Sequence, residues 1–414
     1  MITIQDIRGL DGFSWGRARI ETEHECVVGP IIEGVRKGGD AALLRYARRL
    51  DELGELPLRV SEEELAAAGA AMSTDLRQAA SAAIRNIREF AEKQLPRDYR
   101  EEFSPGRKLG WIVRPLDAVG CYVPSGRYPL PSTLLMTAVL AQTAGVRRIC
   151  VASPKPSIEI LGCAEMLGIQ EIYRMGGAQA IAALAFGTET IAPVDRIVGP
   201  GNAYVAAAKK LLAGEVGIDF VAGPTEIMIL ASEGDARVIA ADMLAQAEHD
   251  IEACAMLVTD SEDLANRVSA ELERQLDSLP TRKVARLAID RNGRIVIVPD
   301  MSAAVALANT WAPEHLSLHD SSLLAGIRNA GTVFLGCNSP ESAGDYAAGP
   351  SHVLPTGGAA RLRGGLSAAD FVKVIAIQEL SPSALEELAP TITTLARAEG
   401  LEAHARAVEV RSVN

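Results

Sequence analysis

Residues 196–202 read RIVGPGN, a short apolar strand pattern that runs through a glycine turn into a predicted helix over 203–213. Upstream, the predicted strand Glu171–Met175 enters the predicted helix Ala180–Phe186 through a second glycine turn, Gly176–Gln179. Alternation of this kind builds βαβ units, whose helices cover both faces of a parallel sheet. The sequence therefore predicts an α/β fold of the doubly wound type.

The same alternation extends on both sides of this stretch. A strand is expected at Arg148–Ala152 before it, and a second α/β series runs from Ala253 to Leu335 after it. The first hundred residues and the tail Ser367–Val410 have helical patterns instead. The second series is predicted to contain the strands Ala253–Thr259, Arg294–Val298, His315–His319 and Thr332–Leu335 and the helices Asp263–Leu276, Ser302–Trp311 and Leu323–Ala330.

Length and composition narrow the class of protein. A chain of 414 residues is too long for one ordinary core, so two or more domains are expected. A net charge of −12 without any basic run argues against nucleic acid as a main partner. The amino terminus lacks the pattern of a signal peptide, and no uncharged apolar run approaches the roughly 18 residues of a membrane span. The six scattered cysteines form no C-x-x-C pair and are expected to be small buried hydrophobes in a reducing cytoplasm.

Polar residues at two separate places in the chain could hold a metal ion. Gln246 and His249 are three residues apart at the end of a predicted helix and therefore share one face of it. Asp345 lies in a long segment rich in Gly, Ser and Pro, and it offers a hard oxygen ligand, although a turn-capping aspartate is the commoner use. His404 stands near the end of the chain and alone would be a surface histidine. Each position has an ordinary structural explanation, and a metal site requires several of them to converge.

Glu314 and His315 stand together at the entry of a predicted strand, where both side chains can reach a cleft. A general acid–base pair and a surface ion pair explain them equally well. Either glycine turn could receive a phosphate at a helix amino terminus, but neither is a complete dinucleotide fingerprint. Gln179 and Asn202 stand at the starts of the two helices, where each could contact a ligand or simply cap its helix. Asp219 follows the turn at 199–201 at a sequence spacing that suits ribose recognition.

Seven ordered motifs together resemble the histidinol dehydrogenase family over about Gly120–Val408. Their number and order are more specific than any single motif. The motifs are 176–185 (GGAQAIAALA), 198–202 (VGPGN), 222–226 (AGPTE), 246–249 (QAEH), 312–315 (APEH), 339–346 (SPESAGDY) and 400–405 (GLEAHA).

This resemblance implies an enzyme that oxidises L-histidinol to L-histidine through L-histidinal, the last step of histidine biosynthesis, with NAD and one zinc ion per subunit. It also implies a cytoplasmic homodimer with the active site at the subunit interface, and no nucleic-acid or membrane partner. Thr225 stands where the family has serine, and it keeps the hydroxyl. The implied roles are zinc ligands Gln246, His249, Asp345 and His404 (the last from the partner subunit); catalytic residues Glu314 and His315; substrate contacts Thr225, Gln246, His249, His315, Asp345, Glu399 and His404; and NAD contacts Tyr122, Gln179 and Asn202.

By the same resemblance, the fold comprises two Rossmann-like domains with parallel sheets. The predicted parts are an amino-terminal arm (1–14), a larger discontinuous α/β domain (15–121 and 227–366) and an inserted NAD-contacting domain (122–226). A helical tail (367–414) is expected to be exchanged between subunits.

Other functions remain open on the sequence alone. A related dehydrogenase that uses zinc and NAD could act on another small polyol or amino alcohol. A zinc-dependent hydrolase could use Glu314 as its base without any nucleotide, since the glycine fingerprint is incomplete. A purely structural protein would need none of these polar groups to converge.

Overall fold

The computed structural model of the protein describes residues 2–8, 22–125, 128–221 and 223–411. Residues 1 and 9–14 of the predicted arm, Ala222 of the motif 222–226, and residues 412–414 of the predicted tail lie outside the described residues.

The strands and helices alternate through the middle of the chain, as the sequence predicts. The strands are β1 (Thr3–Asp6), β2 (Tyr99–Ser104), β3 (Arg107–Pro115), β4 (Ala118–Tyr122), β5 (Arg148–Ala152), β6 (Glu171–Tyr173), β7 (Arg196–Val198), β8 (Gly217–Ile218), β9 (Glu226–Leu230), β10 (Cys254–Thr259), β11 (Arg294–Ile297), β12 (His315–Leu318), β13 (Thr332–Leu335) and β14 (Val372–Leu380). The helices are α1 (Thr22–Leu50), α2 (Glu62–Ala71), α3 (Thr74–Gln94), α4 (Pro131–Thr143), α5 (Ile158–Met166), α6 (Gly177–Phe186), α7 (Ala203–Leu212), α8 (Ala236–Ala247), α9 (Glu262–Leu276), α10 (Arg282–Asn292), α11 (Met301–Trp311), α12 (Glu341–Tyr346), α13 (Pro382–Ala398) and α14 (Glu402–Glu409). None of the described helices is both long and apolar enough to cross a membrane.

The described strands form three sheets, two of which are parallel throughout. The six-stranded sheet has the order β1-β11-β10-β9-β12-β13, and the five-stranded sheet has the order β6-β5-β4-β7-β8. The third sheet, β14-β3-β2, is antiparallel. The predicted α/β class with two parallel sheets is confirmed.

Strand β4 shows why the parallel strands have nearly continuous apolar sequences. All five of its residues are buried. Successive side chains point to opposite faces, so Val119 and Cys121 belong to one core and Ala118 and Tyr122 to the other. A strand covered by helices on both faces has no solvent side that would favour polar residues.

Helices from the first hundred residues pack against the five-stranded sheet. Ile84 and Ile87 of α3 join the core on one face, and Val28 and Leu43 of α1 join the core on the other. The predicted division groups these helices with 227–366, and that division stays a prediction.

Four local expectations are wrong. The tail is not wholly helical, because the β-branched run of Val372–Leu380 pairs with β3 as an antiparallel strand. The amino-terminal region is not wholly helical, because β1 and β2 are strands. The predicted helix Leu323–Ala330 is a short 3-10 segment at Ser321–Gly326. Not all cysteines are buried, since Cys26 and Cys337 are exposed.

A buried ion pair fixes the glycine turn that follows β7. The Lys209 ammonium donates to the carbonyl oxygen of Gly199 at 2.5 Å and to Asp219 Oδ1 at 2.7 Å. The backbone N–H of Gly199 donates in turn to Asp219 Oδ2 at 2.8 Å. The side chains of Lys209 and Asp219 are 3% and 0% exposed, so each charge depends on the other for its stabilisation.

Replacing one partner of this pair is expected to destabilise the protein strongly. The Lys209→Met variant should lose about 3–5 kcal/mol of unfolding free energy, because Asp219 would remain buried without a counter-charge. Urea unfolding at pH 7 measures the loss. As a control, Lys37→Met breaks a pair with Glu33 whose side chains are 79% and 48% exposed, and it should change stability by less than about 1 kcal/mol. Wild-type stability in Lys209→Met would contradict this account of the turn.

Candidate functional site

A cavity of about 720 Å³ lies between the two parallel sheets. From the five-stranded sheet it is lined by residues that follow strands, namely 200–202 after β7 and Phe220 after β8. From the six-stranded sheet it is lined by residues at strand starts, including Thr225 before β9 and His315 in β12. The carboxyl edge of one sheet therefore faces the amino edge of the other across the cavity.

Ala312, which has a left-handed backbone conformation, lies just before the site residues of β12. Helix α11 is capped by Ala312, whose φ of 53° lies in the region that non-glycine residues rarely adopt. Pro313 follows and cannot continue a helix, so the chain turns at once into β12. Glu314 and His315 then come directly after the turn, and both side chains are buried.

Glu314 is held by two hydrogen bonds at one carboxylate oxygen. Its Oε2 accepts from the Thr225 hydroxyl at 2.6 Å and from the backbone N–H of Glu226 at 2.8 Å. Burial raises the pKa of Glu314 well above its ordinary value, and these two hydrogen bonds partly oppose the rise. A carboxylate with a raised pKa is a better proton acceptor near neutral pH than an exposed one.

His315 is a neutral imidazole with one free nitrogen. Its Nδ1 lies 3.2 Å from the carbonyl oxygen of Glu226, which can only accept, so Nδ1 carries the proton and Nε2 keeps its lone pair. Nε2 is buried and has no hydrogen-bond partner in the described part of the chain; Asp345 Oδ1 lies 3.8 Å from it. Burial lowers the pKa of His315 to about 4, so the ring is uncharged at pH 7.

Glu341, Asp345 and His352 surround the His315 ring. Glu341 Oε1 lies 3.8 Å from His315 Nδ1, and burial together with the charge of Asp345 raises the pKa of Glu341 well above its ordinary value. His352 Nδ1 lies 2.9 Å from the carbonyl oxygen of Asp345, and its Nε2 lies 3.3 Å from the Thr133 hydroxyl. Burial lowers the pKa of His352 as well, so the site combines neutral imidazoles with acidic groups.

The donor atoms of the site fit a metal ion. One atom each from His315, Glu341 and Asp345 lie within 4.8 Å of one another. His249 lines the same cavity; its Nδ1 lies 3.0 Å from the carbonyl oxygen of Ala245, which leaves Nε2 available as a ligand. Imidazole nitrogen and carboxylate oxygen are donors that zinc prefers, so the residues present suit the zinc ion that the family resemblance implies.

Six of the residues predicted for the metal, the substrate and catalysis come together. Gln246, on the last turn of α8, is fully buried, and its amide lies 2.6 Å from the Thr225 hydroxyl. His404 and Glu399 do not join them within one chain, because both are exposed on the tail helices, and neither is among the described residues that line the cavity. The six that come together are Thr225, Gln246, His249, Glu314, His315 and Asp345.

The three implied NAD contacts lie in different surroundings. Asn202 lines the cavity and caps the amino terminus of α7 with its side chain. The Tyr122 hydroxyl accepts from the backbone N–H of Gly177 at 3.2 Å. Gln179 donates to the Asp51 carboxylate at 2.9 Å. The latter two side chains are buried around the second glycine turn and are not among the described residues that line the cavity.

Asp219 does not serve as a ribose ligand. Its side chain is 0% exposed, and its two oxygens bind Lys209 and the backbone N–H groups of Gly199 and Phe220. The spacing that suggested ribose recognition instead reflects the buried support of the first glycine turn.

Sequence reasoning did not identify Glu341 as a member of the site. It stands in the first turn of α12, where an acidic residue is common because it offsets the helix dipole. The side chain is nevertheless 3% exposed and contacts Gln246 and His315. Only tertiary structure distinguishes this glutamate from an ordinary first-turn acid.

Comparisons with known proteins agree along the whole chain. A family model described as histidinol dehydrogenase matches residues 17–412. A histidinol dehydrogenase of Bacillus licheniformis is 48% identical over 99% of this chain and 99% of its own. One of Methanothermobacter thermautotrophicus is 46% identical over 95% of each chain. The crystal structure of histidinol dehydrogenase from Elizabethkingia anophelis aligns with a TM-score of 0.92 at 35% identity, covering 99% of this chain and 98% of that one.

Asp242 lies one turn before Gln246 on α8, and burial raises its pKa to about 6. The fold therefore favours its neutral form. The associated stability is fully present below the unfolded pKa of about 3.8 and is lost as pH rises through about 6.

Asp242→Asn is expected to raise the unfolding free energy at pH 7, because the amide carries no charge to desolvate. The gain should be about 1–2 kcal/mol after allowance for partial solvent access, and it should vanish near pH 4. Denaturant unfolding at both pH values measures it. Asp277→Asn, at the exposed carboxyl cap of α9, should change stability by less than about 0.5 kcal/mol at either pH. A gain at pH 7 that persists unchanged at pH 4 would contradict the raised pKa.

Proposed function

The chain belongs to the histidinol dehydrogenase family, and we propose on that premise that it catalyses the NAD-dependent four-electron oxidation of L-histidinol to L-histidine through L-histidinal. The observation that carries this proposal is the buried pair of Glu314 and His315, which reaches one cavity together with Thr225 and Asp345. The product makes the reaction the last step of histidine biosynthesis.

Zinc would be held by Gln246, His249 and Asp345, with His404 of the partner subunit completing the set. Bound zinc would supply coordination that orients the substrate, and NAD would supply the hydride acceptor. The site supports this ligand set because His249 and Asp345 line the same cavity and Gln246 reaches Thr225 at its wall.

His315 takes the proton of the substrate alcohol as the hydride leaves. Its Nδ1 donates to the carbonyl oxygen of Glu226, so Nε2 is the proton acceptor, and its burial keeps the ring neutral. The product of this step is the aldehyde. Retaining it in the cavity protects it from escape and side reactions.

Glu314 activates water for the second oxidation. Its carboxylate removes a proton from water as the oxygen attacks the aldehyde carbon, and the proton that His315 took in the first step passes to the aldehyde oxygen, which yields the hydrate. In the second oxidation His315 again takes the alcohol proton, and a second NAD would accept the hydride. The raised pKa of Glu314 suits this task, and the hydrogen bonds from Thr225 and Glu226 hold the carboxylate in place. Thr225 thereby fills the role of the family serine through its hydroxyl.

The cofactor would lie against the carboxyl edge of the five-stranded sheet. Asn202 stands at the amino terminus of α7, where backbone N–H groups and the helix dipole favour a pyrophosphate. Tyr122 and Gln179 would contact NAD from the second glycine turn, close to β4 and α6. Open α/β sheets bind nucleotides at such edges.

We propose a homodimer whose tails complete the two active sites with Glu399 and His404 of the partner subunit. The small antiparallel sheet and the tail helices expose apolar side chains, with Val374 56% and Leu395 60% exposed. Apolar side chains exposed on these elements suit contact with a second copy of the chain. A cytoplasmic location accords with six free cysteines, all within the described part of the chain.

His315→Asn is expected to lower the rate of NADH formation from L-histidinol by about 10²–10⁴-fold while zinc content stays at the wild-type level. The loss follows from removal of the proton acceptor, since asparagine has no basic nitrogen. His319→Asn, in which a half-buried histidine just past β12 is changed in the same way, serves as the matched control and should keep most activity. Wild-type turnover by His315→Asn would rule out this role, and loss of zinc would make His315 a ligand instead.

Mixing two inactive variants tests whether the tail acts in the partner's site. His404→Ala removes the proposed ligand on the tail, and His315→Asn removes the proposed proton acceptor in the cavity. A mixed dimer would still assemble one site from an intact cavity and an intact tail. Half of randomly paired dimers are mixed and have one working site of two, so about a quarter of wild-type activity should return on coexpression. No recovery above the separate variants would place His404 in its own chain's site.

A further inference from the structure

We infer that Glu341 is a positioning residue that fixes the orientation of the Gln246 amide and so directs the amide oxygen to the metal site. The inference rests on the proposed function, because it concerns one of the proposed zinc ligands. Nothing in the catalytic scheme above uses Glu341.

The contact between the two side chains decides which end of the amide faces the carboxylate. One terminal atom of the Gln246 amide lies 2.7 Å and 2.8 Å from the two oxygens of Glu341, and the other lies 2.6 Å from the Thr225 hydroxyl. An ionised carboxylate only accepts hydrogen bonds, so an amide oxygen in that place would face two acceptors, whereas the amide nitrogen donates to both; a protonated Glu341 would still keep one oxygen that only accepts. The nitrogen therefore faces Glu341, and the oxygen faces Thr225.

Burial makes this orientation firm. Gln246 is 0% exposed and Glu341 is 3% exposed, so water cannot replace either partner. A buried amide or carboxylate without a hydrogen bond costs about 1–3 kcal/mol, and one contact satisfies both. The amide oxygen is left beside Thr225, which lines the cavity. The Thr225 hydroxyl has one proton, which it can direct either to Glu314 or to this oxygen, and in both cases the amide oxygen keeps a lone pair for a metal ion.

The geometry favours positioning over direct ligation by Glu341. Its nearer approach to His315 is to Nδ1, at 3.8 Å, and that nitrogen already carries a proton directed at Glu226. The free nitrogen Nε2 lies instead beside Asp345. Of the two ring nitrogens, Glu341 therefore lies nearer the one that has no lone pair.

Two substitutions at one position test the inference on the full-length protein. Glu341→Gln keeps an oxygen that can accept from Gln246, and Glu341→Leu keeps the bulk but removes the acceptor. Zinc affinity, measured by competition with a chromogenic chelator, should fall by about 10–100-fold in Glu341→Leu and stay within about threefold of wild type in Glu341→Gln. Cobalt substituted for zinc should show an altered visible spectrum in Glu341→Leu alone, because one oxygen ligand would be misdirected.

Thermal unfolding of the metal-free proteins separates this role from a general structural one. Metal-free Glu341→Leu should unfold within a few degrees of wild type, because the loss of a buried acidic group offsets the loss of the hydrogen bond to Gln246. Wild-type zinc affinity in Glu341→Leu would overturn the inference. An equal loss in Glu341→Gln would also overturn it, since the carboxylate would then be a ligand. Failure of the proposed function would appear in the unmutated protein, as absence of zinc binding or of NADH formation from L-histidinol. Failure of the inference about Glu341 would appear only in the variants, so the two outcomes can be told apart.

Discussion

The burial of Glu314 is the constraint on which the rest of the site depends. A buried carboxylate requires hydrogen-bond donors, and both come from the start of β9, as the Thr225 hydroxyl and the Glu226 N–H. Strands β9 and β12 are neighbours, with His315 paired to Ile227. The register of the six-stranded sheet therefore sets the position of the acid, the imidazole and the hydroxyl together. A slip of one residue would turn His315 away from the cavity.

The fold class was accessible from sequence because parallel strands covered on both faces leave continuous apolar runs such as 227–230. The tail was misassigned because an exposed strand such as β14 lacks that signature, and its polar positions also fit a helix face. The acid–base pair was visible as adjacent residues. The contacts of Glu341 could not be predicted from the sequence, because an acidic residue in the first turn of a helix has the same local pattern whether it faces solvent or a buried amide. His404 and Glu399 are exposed and lie outside the cavity of their own chain, and the proposal that a partner subunit supplies them concerns chain assembly, which local patterns do not encode.

The two parallel sheets contribute different features to the site. The five-stranded sheet offers glycine turns and the start of α7, features that suit a phosphate-bearing cofactor. The six-stranded sheet offers titratable side chains whose pKa values are moved in opposite directions by burial, upward for Glu314 and downward for His315. Both shifts favour the uncharged form.

The left-handed backbone at Ala312 has a consequence for how this protein could be altered by design. A non-glycine residue in that conformation costs on the order of 1–2 kcal/mol, so the turn that delivers the acid–base pair stores conformational strain. Glycine would relieve it, but would also widen the range of angles open to the chain immediately before Glu314. A screen for thermostability alone would select such a change. The side chains of Glu314 and His315 would then be held in less well-defined positions. At position 312, the residue that relieves backbone strain is therefore not the residue that best fixes the conformation of the chain before Glu314.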